Sequence, residues 1–253
     1  MRNTFSLLKS KIAMAVTIAM MFSALPSLPA LAASSLDSAT IWGGAQWVWD
    51  QNTTSANIWS DFRRDFTLAS VPAAAELKIA ADTKYWMWVN GVEAVWEGEL
   101  TRGPNGPTTG DISGNDLSTT YYDTVDIAKY LKPGQNNICI DVWYWGKNAG
   151  HDNCVKAGLL VSSDILDTAS GKVIMTGDGE WWAEPAPTMS ANSLGSGGLL
   201  AVPNYQYDAG KETPWRDAGY SCQNAGSPWV KAVNIAAAGA APWNALFARP
   251  TPM

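Results

Sequence analysis

Two pairs of tryptophans, Trp86 with Trp88 and Trp143 with Trp145, are the residues of this chain best suited to recognising a ligand. Both pairs fall in runs that alternate like strands, where side chains two apart share one face. An indole offers a flat apolar surface and one N–H donor, which suits stacking on the C–H side of a sugar ring. Asp141 shares the face of Trp143 and Trp145. A carboxylate there could accept from two vicinal hydroxyls while an indole covers the ring. The alternative is structural: a buried Asp141 holding a loop amide, with the indoles filling a core or lying under a tail.

Hard oxygen donors form the second group. Asp82, Asp111, Asn115 and Asp116 lie in or beside loops, the usual source of calcium ligands. Asp111, in a Gly-rich loop, is the best placed, and Asp82 is the second candidate; a solvated, turn-forming role is the alternative. Calcium is the one cofactor suggested, and no organic cofactor is expected.

Catalytic patterns are missing. The chain has a single histidine, His151, and no plausible serine partner for it, so a hydrolytic triad is not credible. A glycosidase needs two carboxylates roughly 5 to 9.5 Å apart across a cleft, and no motif singles out a pair among the 23 acidic residues. No catalytic residue is assigned.

The elements that must position these residues are strands. Ala45 to Trp49, Trp59 to Leu68 and Leu77 to Ala81 read as strands. Tyr85, Met87 and Val89 then form one apolar face with Trp86 and Trp88 opposite. Asn90-Gly91 is a strong hairpin signal, because both residues tolerate positive φ, and Val92 to Trp96 should return antiparallel. After the Gly/Pro-rich loop 102–115, Tyr121 to Val125 resumes as strand. Asp126 could cap one helical turn over Ile127 to Leu131. Asn137 to Trp145 is the clearest strand, with Ile138, Ile140, Val142 and Tyr144 on one face and Cys139, Asp141, Trp143 and Trp145 on the other. Ala157 to Ser162 and Lys172 to Met175 follow. Strand after strand with almost no helical periodicity predicts an all-β chain: an antiparallel jelly-roll β-sandwich over 33–189. Residues 190–253, flexible at first and then Trp-bearing but irregular, should be an extended tail packing on that sandwich.

Composition sets the compartment and the partners. Arg2, Lys9 and Lys11 precede an apolar stretch from Ile12 to Leu25, and Ala30-Leu31-Ala32 is a small-x-small cleavage site. At roughly 14 residues that stretch is short for a membrane span, which needs about 20. Residues 1–32 therefore read as a secretory signal peptide, and the mature protein as secreted, with no membrane partner. A net charge of −6 with scattered basic residues argues against nucleic acid. Three cysteines in an oxidising compartment leave one odd; Cys154 and Cys222, in loop-like surroundings, are the first candidates for a disulfide, with three free thiols as the alternative.

Taken in order, these stretches resemble the N-terminal non-catalytic region of bacterial α-L-rhamnosidases. The matching pieces begin with W-x-W at Trp47 to Trp49, F-R-R-D-F-T-L at Phe62 to Leu68, and A-D-T-K-Y-W-M-W-V-N-G at Ala81 to Gly91. Gly103-Pro104 and Gly110-Asp111 follow, then Y-Y-D-T-V-D-I at Tyr121 to Ile127 and L-K-P-G-Q-N-N at Leu131 to Asn137. Y-D-A-G-K-E at Tyr207 to Glu212 and A-R-P-T-P at Ala248 to Pro252 look like the stretch leading into the next domain there.

The resemblance implies a galactose-binding-like jelly roll that binds L-rhamnose-containing glycans, in some members with calcium. It places Asp82 and Thr83 where related modules carry an acidic-plus-amide pair, although Thr83 departs from the amide. The family's activity depends on an (α/α)₆ barrel bearing the catalytic acids, and nothing in this sequence resembles it. Three expectations stand: a secreted carbohydrate-binding module, a structural spacer that binds no sugar, or a fragment of a rhamnosidase contributing only to its active-site rim.

Overall fold

The computed structural model describes residues 41–50, 55–99, 119–146, 156–191 and 204–249. Ser35–Met253 belong to one compact unit. The expected signal peptide, Asp111, Asn115, Asp116, His151 and Cys154 lie outside the described residues. No helix among the described residues is long and apolar enough to cross a membrane.

The strands are β1 (Gln46–Trp49), β2 (Ile58–Leu68), β3 (Glu76–Asp82), β4 (Lys84–Val89), β5 (Val92–Glu99), β6 (Thr119–Asp126), β7 (Gly134–Tyr144), β8 (Gly158–Asp167) and β9 (Lys172–Met175). They continue with β10 (Trp182–Pro185), β11 (Met189–Ala191), β12 (Tyr205–Tyr207), β13 (Val230–Lys231), β14 (Val233–Ala237) and β15 (Ala245–Ala248). Two sheets face each other as a β-sandwich. One has the order β14-β1-β8-β3-β6-β15 with β9 on β8, and the other the order β13-β10-β2-β7-β4-β5. Strands β11 and β12 pair as a small separate ribbon.

Alternation explains the core. Tyr85, Met87 and Val89 from β4 and Ile138, Ile140 and Val142 from β7 all point inward and are fully buried. They meet Leu77, Ile79, Leu159, Val161 and Ile174 of the opposite sheet in one cluster. Asn90 and Gly91 both adopt positive φ, which gives the tight β4–β5 turn its twist. Asp126 accepts from the backbone N–H groups of Ala75 and Ala128, holding a 3₁₀ turn, Ala128–Tyr130, where one helical turn is expected.

A register shift between Trp47 and Val48 sends Trp49 into the core and Trp47 into a separate cluster with Trp42 and Trp243. The C-terminal segment, expected as an irregular tail, contributes strands to both sheets. Its β13 and β14 form an edge of each sheet, and β15 adds to β6 as a parallel strand. Backbone hydrogen bonds, which composition does not reveal, tie this segment into the sandwich.

Candidate functional site

Register places the chemistry-bearing residues in rows across the outer face of the six-stranded sheet. Lys84, Trp143 and Trp59 form the first row, and Trp86, Asp141, Asp61 and Glu184 the second. Trp88, Cys139, Arg63 and Trp182 form the third. Next come Asn137 opposite Asp65 and Gln135 opposite Thr67. Trp86 and Trp88 of β4 thus share this face with Asp141 and Trp143 of β7.

That face is covered. Trp143 and Trp145 are buried, while Trp86 and Trp88 are half-buried. Trp143 stacks on Trp59 with centroids 4.7 Å apart, and Tyr205 meets both rings edge-on. Lower on the face, Arg216 lies over Trp88 at 4.1 Å and over Trp215 at 4.4 Å. Trp215, Trp229, Cys139 and Cys222 form a buried cluster there. Residues of the C-terminal segment sit where a stacked ligand would sit.

Beneath them, Glu184, Asp61 and Asp141 are each at most 4% exposed. Burial pushes Asp61 well above the usual carboxylate range, reinforced by the neighbouring charge of Asp141 and opposed by Arg216. Burial raises Asp141 to about 7 against the pull of Arg216, and raises Glu184 to about 7. Asp141 Oδ1 and Arg216 Nε are buried without a hydrogen-bond partner. Carboxylates that touch each other under a protein cover do not flank a cleft, so this row lacks the geometry of a glycosidase pair.

Asp82 and Thr83 have other occupations. Asp82 Oδ2 accepts from Trp243 Nε1 at 3.1 Å and from the Lys156 amide at 3.3 Å. Oδ1 accepts from Thr83 Oγ1, which in turn accepts from the Trp145 amide. Both residues are fully buried, so they do not fit a calcium site open to a sugar. Among the described residues no group of three or more His, Cys, Asp or Glu side chains is arranged to hold a metal ion. Cys222 is buried and packs beside Cys139, because the Trp215–Trp229 stretch folds it onto β7; Cys154, its expected partner, lies outside the described residues.

Sequence reasoning missed a groove of about 530 Å³ at the lower end of this face. It is lined by residues of the β2–β7 pair, the loop 218–223, Trp182, Asn90, Lys132, Asp167 and Ala169. Arg63 is buried in this lining. It donates through Nε to one oxygen of Asp65 at 3.0 Å and through Nη2 to the other at 2.6 Å. Its Nη1 donates to the carbonyls of Asp217, at 3.1 Å, and Trp215. The signal in the sequence is the i, i+2 spacing of Arg63 and Asp65 inside a strand, but alternation cannot show that a loop 150 residues away shapes a groove over them.

Neither a protein-family model nor a curated protein sequence matches the chain. Among solved structures, it is similar to a GH78-family rhamnosidase of Bacillus sp. GL1, with 27% identity over 82% of this chain and 20% of that one, at a TM-score of 0.63. The α-L-rhamnosidase of Dictyoglumus thermophilum matches at 17% identity and a TM-score of 0.56, over 83% of this chain and 22% of that one. The Aspergillus terreus enzyme matches at 19% and 0.52, over 76% and 21%. The chain thus spans about a fifth of the length of the rhamnosidases it resembles. The likeness carried by its motifs is present in three dimensions.

Proposed function

We propose that this chain is a secreted, non-catalytic carbohydrate-binding module of the kind built into α-L-rhamnosidases, taking glycans that contain L-rhamnose. The observation that carries this reading is the match of four-fifths of the chain to one-fifth of a rhamnosidase at 27% identity. The burial of Asp61, Asp141 and Glu184, with Arg216 set against Asp61 and Asp141, supports the non-catalytic part of this reading. Secretion rests on the basic, apolar and small-residue order of residues 1–32. Calcium belongs to the reading only through Asp111 and its Gly-rich loop, since Asp82 is engaged elsewhere.

Calorimetric titration of the mature chain with L-rhamnose, in calcium and again in chelator, tests the proposal. Heat that saturates supports a binding module, and its loss in chelator would add the cation. No heat from folded protein in either buffer overturns it.

A second reading has a specific observation in its favour. Trp143 is met by Tyr205, and Trp88 lies under Trp215 and Arg216, as they would in a spacer that binds no sugar within a longer rhamnosidase polypeptide.

A further inference from the structure

The groove beside the covered face has the composition that a sugar site needs. We infer that it is the saccharide-combining site of this chain, an assignment that rests on the carbohydrate-module reading. Its ligand is a neutral pyranose presenting two adjacent hydroxyls and an apolar C–H face.

Size comes first. About 530 Å³ lies within the range of small-molecule sites, which runs from roughly 300 to 1,000 Å³. Asp65 supplies the polar anchor. An ionised carboxylate has about four acceptor positions, and the two N–H donors of Arg63 use two of them. The Asp65 side chain is 50% exposed, so its remaining acceptors are open to two neighbouring hydroxyls.

Asp65 is also held still. Arg63 is fully buried and fastened by its other nitrogen to two carbonyls of the C-terminal segment, so the carboxylate it grips has a fixed position. A fixed acceptor loses less entropy on binding than a free one. The Arg63–Asp65 pair cancels its own charge, and exposed Lys132 adds donors beside the Asp65 acceptor, a mixture that suits hydroxyls, which both donate and accept.

The rest of the lining completes the set. Gln135 and Gln223 are exposed and carry both a donor and an acceptor, which matches hydroxyl groups that do both. Trp182 and Tyr220 provide half-buried aromatic surface; Lys231 lies over the Trp182 ring at 4.1 Å, so a C–H face would stack on the other side of that indole. The Tyr220 hydroxyl accepts from Trp229 Nε1 at 3.0 Å, which fixes its ring. Above Trp88, by contrast, Trp215 and Arg216 already lie.

The test combines calorimetry and NMR on the mature chain with L-rhamnose, D-galactose and D-glucose as probes. Trp182→Ala should weaken the best probe about tenfold or more. The double change Gln135→Ala with Gln223→Ala, both exposed and not expected to disturb folding, should weaken it by about tenfold through lost hydrogen bonds. Trp96→Ala, which removes a 70% exposed indole outside the groove, should leave affinity unchanged. The ¹⁵N-indole resonance of Trp182 should shift on titration. Full affinity in both groove variants, or shifts confined to Trp86 and Trp88, would overturn the site and leave the module reading intact. No binding of any probe by the unaltered chain would sink the module reading, and the groove assignment with it.

Discussion

Asp61 and Asp141 sit directly opposite each other on β2 and β7, both at most 4% exposed, with Arg216 as the cation set against them. Two carboxyls in that position cannot both ionise cheaply, because like charges opposed across a sheet repel and burial penalises each. Glu184, across from Asp61 on β10, extends the row. The face that looked like a sugar platform is therefore a proton-holding seam under the C-terminal segment.

The seam makes stability depend on pH. All three pKa values are raised in the folded chain, so between about pH 4 and pH 7 the folded state binds more protons than the unfolded one. Stability from these groups is fully present below the ordinary carboxylate pKa and is lost as pH rises through about 7. Urea midpoints should therefore fall between about pH 5 and pH 8. Asp141→Asn, which cannot ionise, should flatten the fall and gain a few kcal/mol at the upper end. An unchanged pH slope in that variant would remove Asp141 from the seam.

Arg216 should matter most when the seam is charged. Replacing it with Met keeps much of the packing on Trp88 and Trp215 but removes the cation that opposes the rise in Asp61 and Asp141. Loss of one partner from a buried charge group costs about 1–3 kcal/mol. The Arg216→Met chain should therefore be destabilised more at pH 8 than at pH 5. Acrylamide quenching of tryptophan fluorescence should rise with it, because the cover over Trp88 loosens. Equal destabilisation at both pH values would mean that Arg216 acts through packing alone.

The thiols give a separate handle on the same cover. Burial holds the Cys139 thiol far above its ordinary value and pushes Cys222 up to about 12, with Arg63 opposing both. Thiols react as thiolates, so both should resist iodoacetamide in the native chain at pH 8 and react fully in urea. Peptide mapping after each treatment decides it. Rapid native labelling of Cys222 would show that the stretch from Trp215 to Trp229 opens readily.

Much of the sandwich was legible because alternation is local. Tyr85, Met87 and Val89 against Trp86 and Trp88, the Asn90-Gly91 turn, and the two faces of Asn137 to Trp145 all follow from spacing two residues apart. The C-terminal strands were not legible. Val230–Lys231 is too short to carry a period, and Val233–Ala237 runs into low-complexity alanines, so only pairing with β10 and β1 defines them. The same non-locality hid the site. Grouping Asp141 with Trp143 was correct, but nothing in that spacing says that Trp215 and Arg216 cover the face or that loop 218–223 borders a groove at Asp65.

The anchoring of the C-terminal segment on the other sheet can be tested at one glycine. Trp47 of β1 and Trp243, just before β15, stack with centroids 3.9 Å apart and planes 14° from parallel. Gly158 lies against this pair: a Cβ there would stand 2.7 Å from one Trp243 ring carbon and 3.0 Å from one of Trp47. Both rings are fully buried and rigid, so neither can yield as a flexible side chain would. Gly158→Ala must then push Trp243 away from Trp47 and from Asp82, whose carboxylate accepts its N–H. Overpacking of this kind costs about 1–3 kcal/mol. The variant should show a lower unfolding temperature and a weakened near-ultraviolet circular dichroism signal from the stacked indoles. Sugar affinity at the groove proposed on the opposite sheet's outer face should stay unchanged while the chain remains folded. A native unfolding temperature and dichroism in Gly158→Ala would mean that Trp243 is not held against Trp47.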